Sequence, residues 1–235
     1  MPVVYPQFLT DALSHDKHLQ GAVLGTEHVF DSWLKDSKLP FFPDYTDHGP
    51  GHLSQVLTTS VELMTPDSHE QFTAADAAVL ILSVLLHDSA MHLSEAGFDA
   101  LVRGHWSGNM ISPFDEKNWR QLWDEYLFSA KRWDDRTLKN ILGETEDGEP
   151  IATVTDPFKD YANMTASHRR LIGEFIRRHH PRLAHEFACF GVPGPTQDPI
   201  RPDPKFAEDL CDLAGLIARS HGRPVRTCLD SLTTG

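Results

Sequence analysis

The sequence predicts an all-α domain, and three observations carry that prediction. Apolar residues recur at helical spacing through most of the chain. Helix start and stop residues punctuate the segments so formed. The longest apolar stretch, 77–86 with Ser83 inside it, follows a helix cap and reads as a buried helix. It is far shorter than the roughly 20 residues that cross a bilayer.

Taken in order, residues 8–38 hold Phe8, Leu9, Leu13, Leu19, Val23, Phe30, Trp33 and Leu34, a spacing that suits one or two short helices. The segment 39–51 is rich in proline and glycine and reads as a loop. A helix begins near Gly51 or His52, with Leu53, Val56, Leu57, Val61 and Met64 on its apolar face, and 65–68 breaks it. Thr73 then serves as N-cap, with Asp76 as its capping-box partner, and opens the buried helix 74–86. The pair His87-Asp88 stands at the end of that helix, where a buried aspartate is costly unless something pairs with it.

Residues 94–160 are less periodic and read as a mixed or irregular insertion, or a lid-like subregion, with one helix near 116–134. Trp119, Trp123, Tyr126 and Trp133 give that helix an aromatic stripe, read first as core and second as a ligand-stacking wall. The acidic stretch 142–150 is a turn or surface loop. A helix capped by Thr165 or Ser167 buries Leu171, Ile172, Phe175 and Ile176 and runs to His179-His180, where Pro181 ends it. A second helix follows at 182–190, and a proline-rich loop reaches Pro204. The last helix spans about 204–220 and closes on Gly222.

At 235 residues the chain fits a single domain, 1–235, with a sizeable core. Its first residues lack a basic region followed by an apolar run, and Cys189, Cys211 and Cys228 form no CxxC pair. A reduced, cytoplasmic setting is the expectation. The net charge of −13 argues against an extended nucleic-acid partner. It leaves room for small phosphorylated ligands where bound metal ions invert the local field. There is no P-loop, dinucleotide glycine fingerprint or GxSxG elbow. The 14 histidines justify a search for metal spacing.

That search finds His52, His87, Asp88, His180 and His221, each at the start or end of an expected helix. Helix ends from distant parts of a chain can converge on one pocket. Imidazole nitrogens and carboxylate oxygens suit first-row transition metals, and an oxygen-rich remainder suits magnesium or manganese.

The segment Leu85-Leu-His-Asp-Ser-Ala-Met91 resembles the signature of the HD superfamily of metal-dependent phosphohydrolases. Tyr45-Thr-Asp-His-Gly-Pro-Gly-His52 is similar to that family's first histidine and helix. Arg177-Arg-His-His-Pro-Arg-Leu-Ala184 and Leu213-Ala-Gly-Leu-Ile-Ala-Arg-Ser-His-Gly222 resemble the additional histidine elements of a bacterial branch found with Hsp90-like ATPase modules. The resemblance covers residues 41–222 and implies an HD-like helical bundle.

It further implies a divalent-metal-dependent phosphohydrolase acting on a nucleotide or other phosphate ester. His52, His87, Asp88, His180 and His221 would be metal ligands, with Asp88 also catalytic and able to bridge two ions; His179 is the fallback for His180. One or two divalent ions are implied, with Mn, Fe, Mg, Zn and Ni all open. His48 is a further catalytic candidate, as proton shuttle, substrate contact or alternative ligand. Among Arg169, Arg177, Arg178, Arg182 and Arg219, Arg178 and Arg219 are the favoured phosphate contacts, being nearest the implied ligands. The family pattern closes with an aspartate on a later helix, whereas Asp230 is the only aspartate after His221. Either Asp230 substitutes, or that helix is missing, or the chain is a fragment. The alternative reading is therefore a noncatalytic metal- or nucleotide-binding regulatory domain of a larger protein, and the third is a plain helical interaction domain. The expected partners are a small phosphorylated ligand, an ATPase module or a second copy of the chain, and no membrane.

Overall fold

A computed structural model describes residues 3–36, 39–42, 49–104, 106, 115–144, 148–149, 151, 153–159, 163–194 and 200–222. Among the described residues it contains ten α-helices and no β-strand. They are α1 (Gln7–Ser14), α2 (Lys17–Asp36), α3 (Pro50–Glu62), α4 (Pro66–Gln71), α5 (Ala74–Leu86), α6 (Glu95–Arg103), α7 (Trp119–Ala130), α8 (Asp135–Leu142), α9 (Ala166–Phe190) and α10 (Glu208–Ser220). Two short 3-10 turns, Ser89–His92 and Pro157–Lys159, join them.

Local chemistry sets the helix starts. The Asp16 carboxylate accepts from the backbone N–H groups of His18 and Leu19 and so separates α1 from α2. Thr73 and Asp76 form the expected capping box of α5. Asn118 with Gln121, and Thr165 with His168, do the same for α7 and α9. Segment 65–68 breaks α3 and then starts a further helix. The Thr65 hydroxyl accepts from the Ser68 N–H, and Pro66 occupies the first turn, where its missing N–H costs nothing.

Helix α5 is the axis of the molecule and packs against α1, α2, α3, α9 and α10. Every residue from 77 to 86 except Leu80 is buried. A helix covered on nearly all sides delivers its last residues into the interior, which places His87 and Asp88 among the surrounding helices. The described part of 94–160 holds α6, α7 and α8, joined by non-helical segments. Trp123 stacks edge-on against Phe98 of α6 and Phe175 of α9 and is itself buried, so the aromatic stripe is core.

Helix α9 corrects the expectation of a stop at Pro181. It is continuous over 25 residues, with Pro181 inside it. Its partner α10 runs antiparallel to it, since His180 meets His221 while His185 meets Asp212. The two helices cross closely at Gly215, where an added Cβ would lie 2.9 Å from the Ala188 Cβ and 2.5 Å from the His185 ring.

Candidate metal centre

Four helix segments converge on Asp88. His52 comes from the first turn of α3, His87 and Asp88 from the end of α5, His180 from α9 and His221 from the C-cap of α10. The Asp88 Oδ2 oxygen lies 2.9 Å from His87 Nε2 and 3.9 Å from His52 Nε2. Its Oδ1 oxygen lies 3.5 Å from His180 Nε2 and 3.8 Å from His221 Nε2. The two histidine pairs are tight as well, with Nε2 atoms 3.4 Å apart for His52 and His87 and 2.7 Å apart for His180 and His221. All five residues expected as ligands therefore meet in two triads that share Asp88, each able to hold a metal ion.

The reason these histidines stand at helix ends lies in their other ring nitrogen. His87 Nδ1 donates to the Val84 carbonyl at 2.6 Å, His180 Nδ1 to the Arg177 carbonyl at 2.7 Å, and His221 Nδ1 to the Ala218 carbonyl. The last carbonyls of a helix have no partner within it. Val84 and Ala218 are such carbonyls, and each is taken by the imidazole three residues on. The carbonyl of Arg177 is mid-helix, but its helical donor would be residue 181, and Pro181 has no N–H. The proline thus opens in the middle of α9 the vacancy that a helix end opens elsewhere, and His180 fills it without breaking the helix. With the hydrogen fixed on Nδ1, each ring presents a bare Nε2 lone pair to the centre. Bare Nε2 atoms 2.7 Å apart, facing a carboxylate, need a proton or a metal ion between them.

The pKa directions follow. Burial pulls His87 down, but the hydrogen bond and charge of Asp88 outweigh it, and the net shift is upward. Burial dominates at His180 and lowers it, against the pull of the Arg177 carbonyl. His179 points elsewhere: it packs on Phe175 and Trp119, and burial lowers it to about 4. His48 and Asp230 lie outside the described residues.

The five arginines singled out in the sequence all carry carboxylate partners. Arg169 pairs with Glu95, and Arg177 and Arg178 pair with Glu174. Arg182 pairs with Glu186 and Asp115, and Arg219 makes a two-pronged bond to Asp115 at 2.6 and 3.2 Å. The last group is a buried lattice that sequence reasoning missed. Asp115, Glu186, Arg182 and Arg219 balance in charge, and Trp119 donates to Glu186 while stacking under Arg182. Asp115 is 67 and 104 residues from its two arginines, and no local pattern announces it. Also missed was His92, which lines a small recess with Asp88, Ser89 and Leu53.

Pro181 yields a prediction. Pro181→Ala restores an N–H that competes with His180 for the Arg177 carbonyl, and it removes the ring that fills the space beside Gly222. Metal affinity should fall roughly 10–100-fold, as when a ligand's supporting hydrogen bond is lost, while helicity by circular dichroism stays intact. Unchanged affinity would remove the proline from the design of the site.

No curated protein and no solved structure matches the chain. A family model described as HD-CE matches residues 42–234, a span that contains every residue of the centre. A match over most of its length shows that the chain belongs to the HD-CE family.

Proposed function

We propose that the protein is a divalent-metal-dependent phosphohydrolase acting on a nucleotide or another small phosphate ester, with two ions held side by side. One observation carries this reading: each oxygen of Asp88 faces its own pair of imidazole Nε2 atoms. His52 and His87 would hold one ion, His180 and His221 the other, and Asp88 would bridge them. Bound there, divalent ions supply Lewis acidity toward phosphate and lower the pKa of a water to yield a nucleophile near neutral pH. The backbone carbonyls of Val84, Arg177 and Ala218 hold three of the rings in the ligating tautomer. His48 remains the proposed proton shuttle. Arg178 and Arg219 would reach phosphate only by exchanging their carboxylate partners.

That pairing also favours a second reading, a noncatalytic regulatory domain that binds metal or nucleotide for a partner such as an Hsp90-like ATPase module. The test combines elemental analysis of chelator-free protein with phosphate release from a nucleotide and phosphoester panel. Bound first-row metal with metal-dependent turnover supports the enzyme. Metal without turnover on any substrate supports the regulatory domain, and failure to bind metal after reconstitution sinks the enzyme and leaves the second reading only as a nucleotide binder.

The site should also respond to pH. An ion must displace protons from the imidazoles, so apparent affinity should fall as pH drops through the histidine range near about 6.5. His87 is raised and His180 lowered. On acidification, the triad containing His87 should therefore release its ion at a higher pH than the triad containing His180. Metal titrations between roughly pH 8 and 5 should resolve two steps. A single step shared by both ions would contradict the split.

A further inference from the structure

Farther along α9 from His180, a second group of ligating side chains faces α10. His185 Nε2 lies 2.9 Å from Asp212 Oδ1, and Cys189 Sγ lies 3.7 Å from the same oxygen. One ligand atom from each residue lies within 4.8 Å of the others. His185 and Cys189 are four residues apart and so share one face of α9, and Asp212 comes from the antiparallel helix. The close crossing at Gly215 brings Asp212 within reach, because any larger residue would push α10 away from the His185 ring. Cys189 and Asp212 also line an open cleft of about 650 Å³, together with Cys211, Arg201 and Phe206.

We infer that His185, Cys189 and Asp212 form a second metal site, for a borderline-soft ion of the Zn²⁺ class, that cross-links α9 to α10. The site is separate from the Asp88 centre and does not depend on the proposed hydrolase activity. One nitrogen, one sulfur and one carboxylate oxygen match the ligand preference of zinc, and a thiolate disfavours magnesium and calcium. Three protein ligands leave a fourth position toward the cleft, as in zinc sites that admit water or a small ligand. Burial and the neighbouring Asp212 push the Cys189 thiol up to about 12, so without an ion it keeps its proton. Burial holds His185 toward its neutral form, as a ligand must be. On binding, the thiol proton passes to water, and the ion's two charges meet one thiolate and one carboxylate. The two helices joined are those that supply His180 and His221, so the cross-link steadies half of the other centre.

Cobalt(II) separates the two sites, because only a thiolate ligand gives a sulfur-to-metal charge-transfer band. The Asp88 triads offer nitrogen and oxygen alone. The full chain with reduced thiols is titrated with cobalt(II). In Asp88→Ala, where the other centre does not compete, the band should saturate at about one ion per chain. It should be lost in Cys189→Ser, be lost or strongly weakened in Asp212→Asn, and persist in Cys211→Ser and Asp88→Ala. Cys189 and Asp212 are both exposed, so these variants should fold, which thermal melts would check. Zinc should raise the melting temperature of Asp88→Ala but not of Asp88→Ala combined with Cys189→Ser. No band in the wild type, a band that survives Cys189→Ser, or one that vanishes in Cys211→Ser or Asp88→Ala would overturn the assignment.

Discussion

Replacing Asp88 with alanine should eliminate metal binding at both triads and reduce any phosphate release to background. Asp88 is the only anionic group in either triad, and it serves both. Without it, two pairs of neutral imidazoles remain, with Nε2 lone pairs facing each other at 2.7 and 3.4 Å. Nothing then offsets the cost of bringing two divalent charges together. Outer hydrogen bonds to ligands already cost roughly 10–100-fold in affinity or activity, so loss of the shared ligand should exceed that range. Single-histidine variants discriminate the two halves. His52→Ala should lose one ion per chain and His221→Ala the other, by elemental analysis after gel filtration. If Asp88→Ala retained both ions, the bridging geometry would be wrong, however convincing the family match.

The second large effect is on stability. Asp115→Asn should destabilise the fold by about 3–5 kcal/mol, the usual result of removing one partner from a buried ion pair. The Asp115 side chain is 2% exposed and sits between Arg219, 7% exposed, and Arg182, 10% exposed. Neutralising it removes the carboxylate that both guanidiniums share, in a setting where unpaired charge is expensive. For a chain of this size the melting temperature should drop by roughly 6–20 °C. A change of less than about 2 °C would mean that water reaches the lattice and shields it. The lattice also bears on the metal centre. Arg219 lies two residues before His221 and Arg182 two after His180, so Asp115 ties down the two helix segments that carry the second triad. Asp115→Asn should accordingly weaken the triad of His180 and His221 more than that of His52 and His87.

The site was legible in the sequence to the extent that its geometry is local. His87, His180 and His221 each take up an orphan carbonyl three residues behind them, and helix ends provide such carbonyls. The buried run of α5 points to its own end, and Gly222 marks that of α10. His52 differs: it sits in the first turn of a helix opened by Gly49 and Pro50. His180 broke the rule in appearance only. Pro181 reads as a helix stop because proline usually is one. Packing on both sides of the proline kept α9 whole: Phe175 and Ile176 before it and Leu183 and Phe187 after it are fully buried.

What the sequence determined by itself is the all-α class, the buried central helix and the placement of His52, His87, Asp88 and His221 at helix ends. These follow from periodicity, capping and helix ends, all set within a few residues of chain. Tertiary structure alone decided which oxygen of Asp88 faces which histidines, that His180 rather than His179 joins them, and that Asp115 locks two arginines from α9 and α10. It alone placed His185 and Cys189 opposite Asp212. The pairings of Asp115 and Asp212 span 23 to 104 residues, and that of Asp212 depends on how closely two helices approach at Gly215. That distance is a property of packed surfaces, and no stretch of neighbouring residues encodes it.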